Sequence, residues 1–276
     1  MPTVRVKPTT NARRKMSYLK FAGDKTKATK SLTVGMKRTS GRNHAGQLVV
    51  NHKGGGAKRK YRLVDFSLVS YLGKKGAVKS IEYDPNRTAD IALIDFADAG
   101  LAYIIAPDGL KKDDSIICDE KTTVRPGNRM KLKNMPPSTQ IHNIEMTPGR
   151  GGQICRSAGS FATLLGRDGD YVQIRLMSSE VRKVSAEGFA SVGVVSNIDH
   201  SKVLIGKAGR KRHMGIKPTV LGKSKNPVDH PHGGGEGHTS IGMKYPKTPW
   251  GAPALGPRTR NKKKAGSKLI LSRRKK

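Results

Sequence analysis

Residues 60–96 read KYRLVDFSLVSYLGKKGAVKSIEYDPNRTADIALIDF, and the pattern in them is that of strands and turns. Lys60–Leu72 alternates polar with apolar side chains at period two, which places one face of an extended chain against a core. Gly73–Gly76 supplies a turn, Ala77–Tyr83 a second strand, and Asp84-Pro85-Asn86 stops it with strong turn chemistry. Ile91–Phe96, Leu101–Ala106 and Ser115–Cys118 continue the series at intervals of about ten residues, the spacing of a small barrel or sandwich. Beyond the Pro126-Gly127 turn a second set follows: Gln140–Met146, Ser160–Gly166, Tyr171–Arg175, Val181–Val184 and Ser191–Val195. Glycine-rich turns at Pro148–Gly152 and Arg167-Asp168-Gly169-Asp170 separate its members. Helical periodicity is not evident in this middle region. The expectation is a mainly β protein with two small β-barrels in tandem, split near residue 125.

Outside that region the composition changes. The chain has 276 residues and a net charge of +34. Residues 1–60 hold 16 Lys/Arg and one acid, Asp24; residues 201–276 hold 20 Lys/Arg and two acids, Asp229 and Glu236. The middle, 61–200, holds 18 Lys/Arg against 17 acids and is nearly neutral. It also holds nine of the 13 aromatics. Flanks so poor in apolar side chains cannot bury enough surface to offset the entropy of ordering. They are expected to be long, basic and extended until an anionic partner supplies contacts. Expected boundaries are 1–60 for the N-terminal extension, 61–124 and 125–200 for the two barrels, and 201–276 for the C-terminal extension.

Several classes drop out. No run approaches the length of a membrane helix, the start lacks the apolar stretch of a secretory signal, and no Arg- and Ser-rich import presequence is evident. Neither an amphipathic helix nor a lipid anchor is visible, so no membrane partner is expected. Two cysteines, Cys118 and Cys155, make neither a disulfide framework nor a zinc cluster, and a reducing compartment is the simpler inference.

Asp229, His230, His232 and Glu236 carry the inventory of a metal site or an acid–base pair. Pro231 and Gly233, Gly234 and Gly235 deny them a helix or strand to fix their geometry, and H-P-H is not the H-E-x-x-H spacing. No enzyme activity, metal or cofactor is expected. Gly54–Lys60 does not fit a phosphate-binding loop either. Glycine beside Lys58, Arg59 and Lys60 lets backbone amides press against a phosphate chain, with a flexible linker as the lesser alternative. Further basic clusters lie at Arg13-Arg14-Lys15, Arg210-Lys211-Arg212, Lys262-Lys263-Lys264 and Arg273–Lys276. Such density displaces counterions from a polyphosphate. Without a recognition helix or zinc finger, RNA is favoured over duplex DNA. Arg87 and Arg156, on loops at the rims of the two barrels, are candidate contacts of the neutral core with that RNA. A hydrolase or transferase at Asp229–His238 and a histone-like DNA binder are the rival readings.

The strings GGGAKRKYRLVDF, IEYDPNR, IHNIEMTPGRGGQ, RSAG, NPVDHPHGGGEG and TPWG, in this order, closely resemble the bacterial-type large-subunit ribosomal protein family called L two. The match runs from residue 3 to residue 276, loosely over 16–41, and Ile154-Cys155 stand where the family usually has Leu-Ala. The resemblance implies an oligonucleotide-binding-like barrel followed by an SH3-like barrel, with termini threaded into large-subunit ribosomal RNA. It implies a primary ribosomal RNA-binding protein that supports subunit assembly, subunit association and the peptidyl transferase region. Neighbouring ribosomal proteins and the small subunit at the intersubunit interface are the other implied partners, and a bacterial cytoplasmic or plastid ribosome the implied location. The family's RNA-contacting arginines map to Arg87 and Arg156. Its histidine linked to peptidyl transfer maps to His230, here read as structural or electrostatic support. A non-ribosomal basic nucleic-acid-binding protein is the alternative.

Overall fold

The computed structural model describes residues 3–21, 23–24, 26–97 and 99–274, apart from the side chain of Ala265. In chain order the strands are β1 (Thr3–Arg5), β2 (Ser17–Leu19), β3 (Thr33–Gly35), β4 (Lys60–Arg62), β5 (Lys75–Glu82), β6 (Ile91–Phe96), β7 (Gly100–Ile105) and β8 (Ser115–Ile117). They continue as β9 (Arg129–Lys131), β10 (Gln140–His142), β11 (Ile144–Glu145), β12 (Gly152–Ile154), β13 (Ala162–Asp168), β14 (Tyr171–Leu176), β15 (Val181–Ser185), β16 (Phe189–Val192) and β17 (Ile270–Ser272). Among the described residues the longest helix is the six-residue turn Ala208–His213, so the protein is mainly β.

Two compact units divide the chain. The first comprises the described residues of Met1–Lys37, Lys58–Lys207 and Ala265–Lys276 and holds both principal sheets. Its oligonucleotide-binding-like part is an antiparallel sheet in the order β7-β6-β5-β8. β5 alternates buried and exposed residues, as one covered face requires, whereas β6 is buried almost throughout because chain packs on both its sides. Val78, Ile94, Phe96, Ile104 and Ile116 form the core, and Tyr71 stacks on Phe96 with ring centroids 4.2 Å apart. Gly76 is demanded by this packing, since a Cβ there would lie 2.4 Å from Ile94. Parallel bridges Val64 to Tyr103 and Leu72 to Cys118 add chain at both edges.

The SH3-like part is a seven-stranded sheet in the order β17-β15-β14-β13-β10-β16-β9. Met130, Leu132, Ile141, Leu164, Val172, Ile174 and Val184 fill its core. Strand pairs β13–β14 and β14–β15 are hairpins, and a bulge between Leu164 and Gly166 bends the first. The chain passes from one principal sheet to the other between Ile117 and Arg129.

Several strands differ from the periodic reading. The expected single strand Lys60–Leu72 ends at Arg62. Asp65 Oδ1 accepts the backbone N–H groups of Ser67 (2.7 Å) and Leu68 (3.0 Å), and Leu68 turns left-handed at φ 54°, so the chain leaves the ladder despite its alternation. The expected strand Gln140–Met146 is two strands in different sheets, broken at Asn143 with φ 49°. The strand placed at Ser191–Val195 lies at Phe189–Val192, because Gly193 turns the chain at φ 106°. β9, β12 and β17 have too few residues to show a period. β17 matters most, since it brings the basic C-terminal segment back to pair with β15 in the core sheet.

The second unit comprises Arg38–Ala57 and Ala208–Lys264. The two basic flanks meet here backbone to backbone. Gly54 N–H donates to Gly215 O (2.7 Å), Ala57 N–H to His213 O (2.8 Å) and Lys217 N–H to His52 O (2.9 Å). Gly54–Gly56 is therefore a close-approach segment rather than a flexible linker: Gly56 has φ 65°, and a Cβ would stand 2.9 Å from His213 O. The buried hydrophobic side chains of the protein all lie outside this unit among the described residues. Turns and backbone pairing hold it, as its composition requires.

Candidate nucleic-acid interface

The turn after β5 gathers arginines around one buried carboxylate. Asp84 is fully buried, and its Oδ1 accepts the N–H of Asn86 at 2.9 Å. Arg87 Nε donates to its Oδ2 at 2.5 Å, and an Arg62 nitrogen lies 3.7 Å from Oδ1. Arg59 donates to Pro85 O at 2.8 Å, while Asn86 Nδ2 donates to Lys60 O at 2.7 Å. Two guanidiniums therefore face a single buried carboxylate, and a third is held on a carbonyl of the same turn.

Arg156 reaches the same place from the loop between β12 and β13. Its guanidinium lies 4.4 Å from the centroid of the Phe66 ring, and that of Arg87 lies 5.6 Å from it. Both separations are in the cation–π range. Arg156 donates to Gly152 O (3.2 Å), and Gly152 N–H donates to Phe66 O (3.0 Å), so the ring and the second arginine share one backbone clamp. The two loops are tied directly: Ala158 N–H donates to Thr88 Oγ1 (3.0 Å), and Asn197 Nδ2 to Thr88 O (3.1 Å). Arg156 is exposed and Arg87 half-buried. A guanidinium has five N–H donors, and the contacts above use one on each arginine. The rest of each fork is suited to a phosphate.

Beneath this pair lies Arg129, which is fully buried. It donates to Ser67 O (3.0 Å), to Asn143 O (2.9 Å) and to Glu145 Oε1 (3.0 Å). Glu145 Oε2 in turn accepts the N–H of Phe189 (3.2 Å). This ion pair pins the loop carrying Phe66 to the second sheet, and its cost of desolvation is offset by the completeness of its hydrogen bonding. Phe66, Arg62 and Arg129 were not singled out by the sequence. Phe66 reads as one more apolar position of an alternating strand, and Arg129 as an ordinary charge.

Other candidates fall elsewhere. Lys58 and Lys60 are exposed beside Arg59. Arg210, Lys211 and Arg212 lie on the short helix Ala208–His213 of the second unit. In the first unit, Arg5, Arg14, Lys15 and Lys202 line a cavity of about 370 Å3 together with Thr3, Ser17 and Leu204.

Asp229–Glu236 forms a tight wrapped turn. Asp229 and His230 N–H both donate to Asn226 O, Gly233 N–H to His230 O (2.8 Å) and Gly234 N–H to Lys225 O (3.1 Å). The His230 ring is buried, 4.7 Å from that of His232, over Gly222, where a Cβ would lie 2.4 Å from its Cε1. His230 Nδ1 accepts the N–H of His232 (3.0 Å), and His232 Nε2 accepts that of Lys247 (2.8 Å). An accepting nitrogen carries no proton, so both rings are used as neutral imidazoles. Burial, then His232 and Lys225, push the His230 pKa below its ordinary value. Among the described residues no three His, Cys, Asp or Glu side chains converge as a metal site would require.

A mainly β protein with a nearly neutral core, paired arginines on its rim and nearly all of its charge in two flanks is built to bind RNA as a structural component. The family model described as Ribosomal Proteins L2, RNA binding N-terminal domain, matches residues 29–118, and the model for the C-terminal domain of the same proteins matches residues 125–251. The chain belongs to the ribosomal protein L2 family, a structural constituent of the large ribosomal subunit that binds ribosomal RNA.

Proposed function

We propose that this chain is a primary ribosomal RNA-binding protein that helps assemble the large subunit, supports its association with the small subunit and buttresses the peptidyl transferase region of a bacterial or plastid ribosome. Residues 61–124 and 125–200 act as the docking barrels, and the extensions 1–60 and 201–276 thread into the RNA beside neighbouring ribosomal proteins. The observation that carries this reading is the convergence of Arg87 and Arg156 on Phe66. Two charged forks from separate loops, held over one ring, can grip two phosphates at a set spacing, which a solvated tail cannot do. Lys58, Arg59, Lys60 and Arg210, Lys211, Arg212 neutralise phosphates around that grip. Asp229, His230, His232, Gly233, Gly234, Gly235 and Glu236 form a rigid turn near the catalytic RNA. Its neutral imidazoles fit a supporting role, since each accepting nitrogen is already engaged by a backbone N–H and is not available as a base.

The test is retention of purified large-subunit ribosomal RNA by wild type, Arg87→Ala and Arg156→Ala, with duplex DNA as competitor. Each substitution is expected to weaken cognate binding by about 1.5–3 kcal/mol, the worth of a charge-assisted hydrogen-bond set. Removing one lysine of the extensions instead lowers the salt slope by about one. Affinity for random RNA equal to cognate affinity, unchanged by either arginine substitution, would sink the docking role.

A further inference from the structure

The sequence contains one tryptophan, and it is not in a core. Trp250 is 86% exposed. Nor is it on a loose tail. Ala254 N–H donates to Pro246 O (2.7 Å), Thr248 N–H to Ala252 O (2.7 Å) and Gly251 N–H to Thr248 O (2.9 Å), with Lys247 and Pro253 paired antiparallel. Residues 246–254 are thus a tight hairpin with Trp250 at its tip, just before Gly251 at φ 83°. Lys247 N–H also donates to His232 Nε2, which fastens the hairpin to the wrapped histidine turn. An indole normally contributes more than any other side chain when buried. Here the backbone is instead organised to hold it out in water.

We propose that Trp250 is a nucleobase-stacking residue, presented by this hairpin to an unpaired base of the RNA the protein binds. The inference rests on the RNA-binding reading and adds to it a contact that phosphate neutralisation does not require. Its surroundings select the ligand. The unit that carries it, 38–57 and 208–264, holds 16 Lys/Arg and two acids, and Lys244 lies 5.6 Å from the ring of half-exposed Tyr245 beside the hairpin. A partner of this face must be strongly anionic and also offer a flat apolar surface. An unstacked base on a phosphate chain does both, and stacking on an aromatic tolerates any base. His232 acts as a positioning residue for the hairpin.

Because there is one tryptophan, the emission reports on this side chain alone. The full-length chain is titrated with purified large-subunit ribosomal RNA and, separately, with heparin, a polyanion without bases, while filter retention measures RNA binding independently. RNA is expected to quench the emission by about twofold or more, and heparin to leave it nearly unchanged. Trp250→Ala should weaken RNA binding by about 5- to 150-fold, with Trp250→Phe retaining most of the affinity. RNA retained with unchanged emission, or a Trp250→Ala chain that binds as wild type, overturns the stacking role while leaving the RNA-binding function intact. Quenching by ribosomal proteins in the absence of RNA, and not by RNA, assigns the indole to a protein pocket and also overturns it. Failure of wild type to retain RNA at all overturns the underlying function instead.

Discussion

At the scale of single residues, a buried ion pair and a buried imidazole set the chemistry of the core. Arg129 and Glu145 are both fully buried, so removing either partner leaves an uncompensated charge. Arg129→Ala is expected to cost about 3–5 kcal/mol in urea denaturation, whereas a paired apolar replacement of both residues costs much less. The single substitution also frees the Phe66 loop, so residual RNA affinity should fall even where the chain remains folded. His142 is the second group. It is almost fully buried, its Nδ1 lies 3.0 Å from Gly193 O, and burial, with Arg129 nearby, lowers its pKa to about 4. The unfolded chain takes up this proton near pH 6.5 and the native one only near 4, so the unfolded state binds more protons in between. Stability is complete above about pH 6.5 and falls as the pH drops toward 4, by about 3 kcal/mol in all. Urea midpoints measured from pH 7 to 4.5 should show this slope, and His142→Gln should flatten it. Parallel profiles for the two proteins would assign the acid sensitivity elsewhere.

At the scale of elements, the wrapped turn Asp229–Glu236 shows how glycine substitutes for regular structure. The His230 ring rests on Gly222 at a distance no side chain could share. Gly222→Ala is expected to push the imidazole outward and return its pKa toward the ordinary histidine value, read by proton NMR titration of the ring. Global stability should change by less than about 1 kcal/mol, because the unit that holds this turn contains no buried hydrophobic side chain among the described residues. The strands illustrate the limits of periodicity. β5, β6, β7 and β14 were legible because they are six or more residues long and patterned by burial. β4 was overrun in the reading because Asp65 captures the next amides, a local competition that alternation does not register. β9 and β17 owe their existence to long-range partners, β16 and β15, and no three-residue segment advertises a partner so far away.

At the scale of the whole molecule, charge and apolar burial are segregated. The first unit holds the hydrophobic clusters, and the second is knit by backbone hydrogen bonds between the two basic flanks. Local opening free energy follows buried apolar surface. Hydrogen exchange in the free protein should therefore be slowest at amides such as Ile94 and Ile174 and faster by orders of magnitude through 38–57 and 208–264. Added ribosomal RNA should protect the latter, since phosphates supply the contacts that the free segments lack and relieve their self-repulsion. Uniform protection across both units without RNA would contradict this division.

Sequence by itself determined the β class and the neutral core between basic flanks, because composition, period and turn chemistry are local properties that survive in one dimension. It favoured RNA over DNA, and the resemblance of its motifs to a family named the RNA and supported the candidacy of Arg87 and Arg156. Only the tertiary structure decided that those two arginines share Phe66, that Arg129 anchors the loop beneath them, that the glycine-rich flank pairs with residues 213–217, and that the tryptophan stands out in solvent. Each of these depends on which distant segments meet, and that is settled by packing and by the pairing of buried polar groups, not by any property of the residues taken singly.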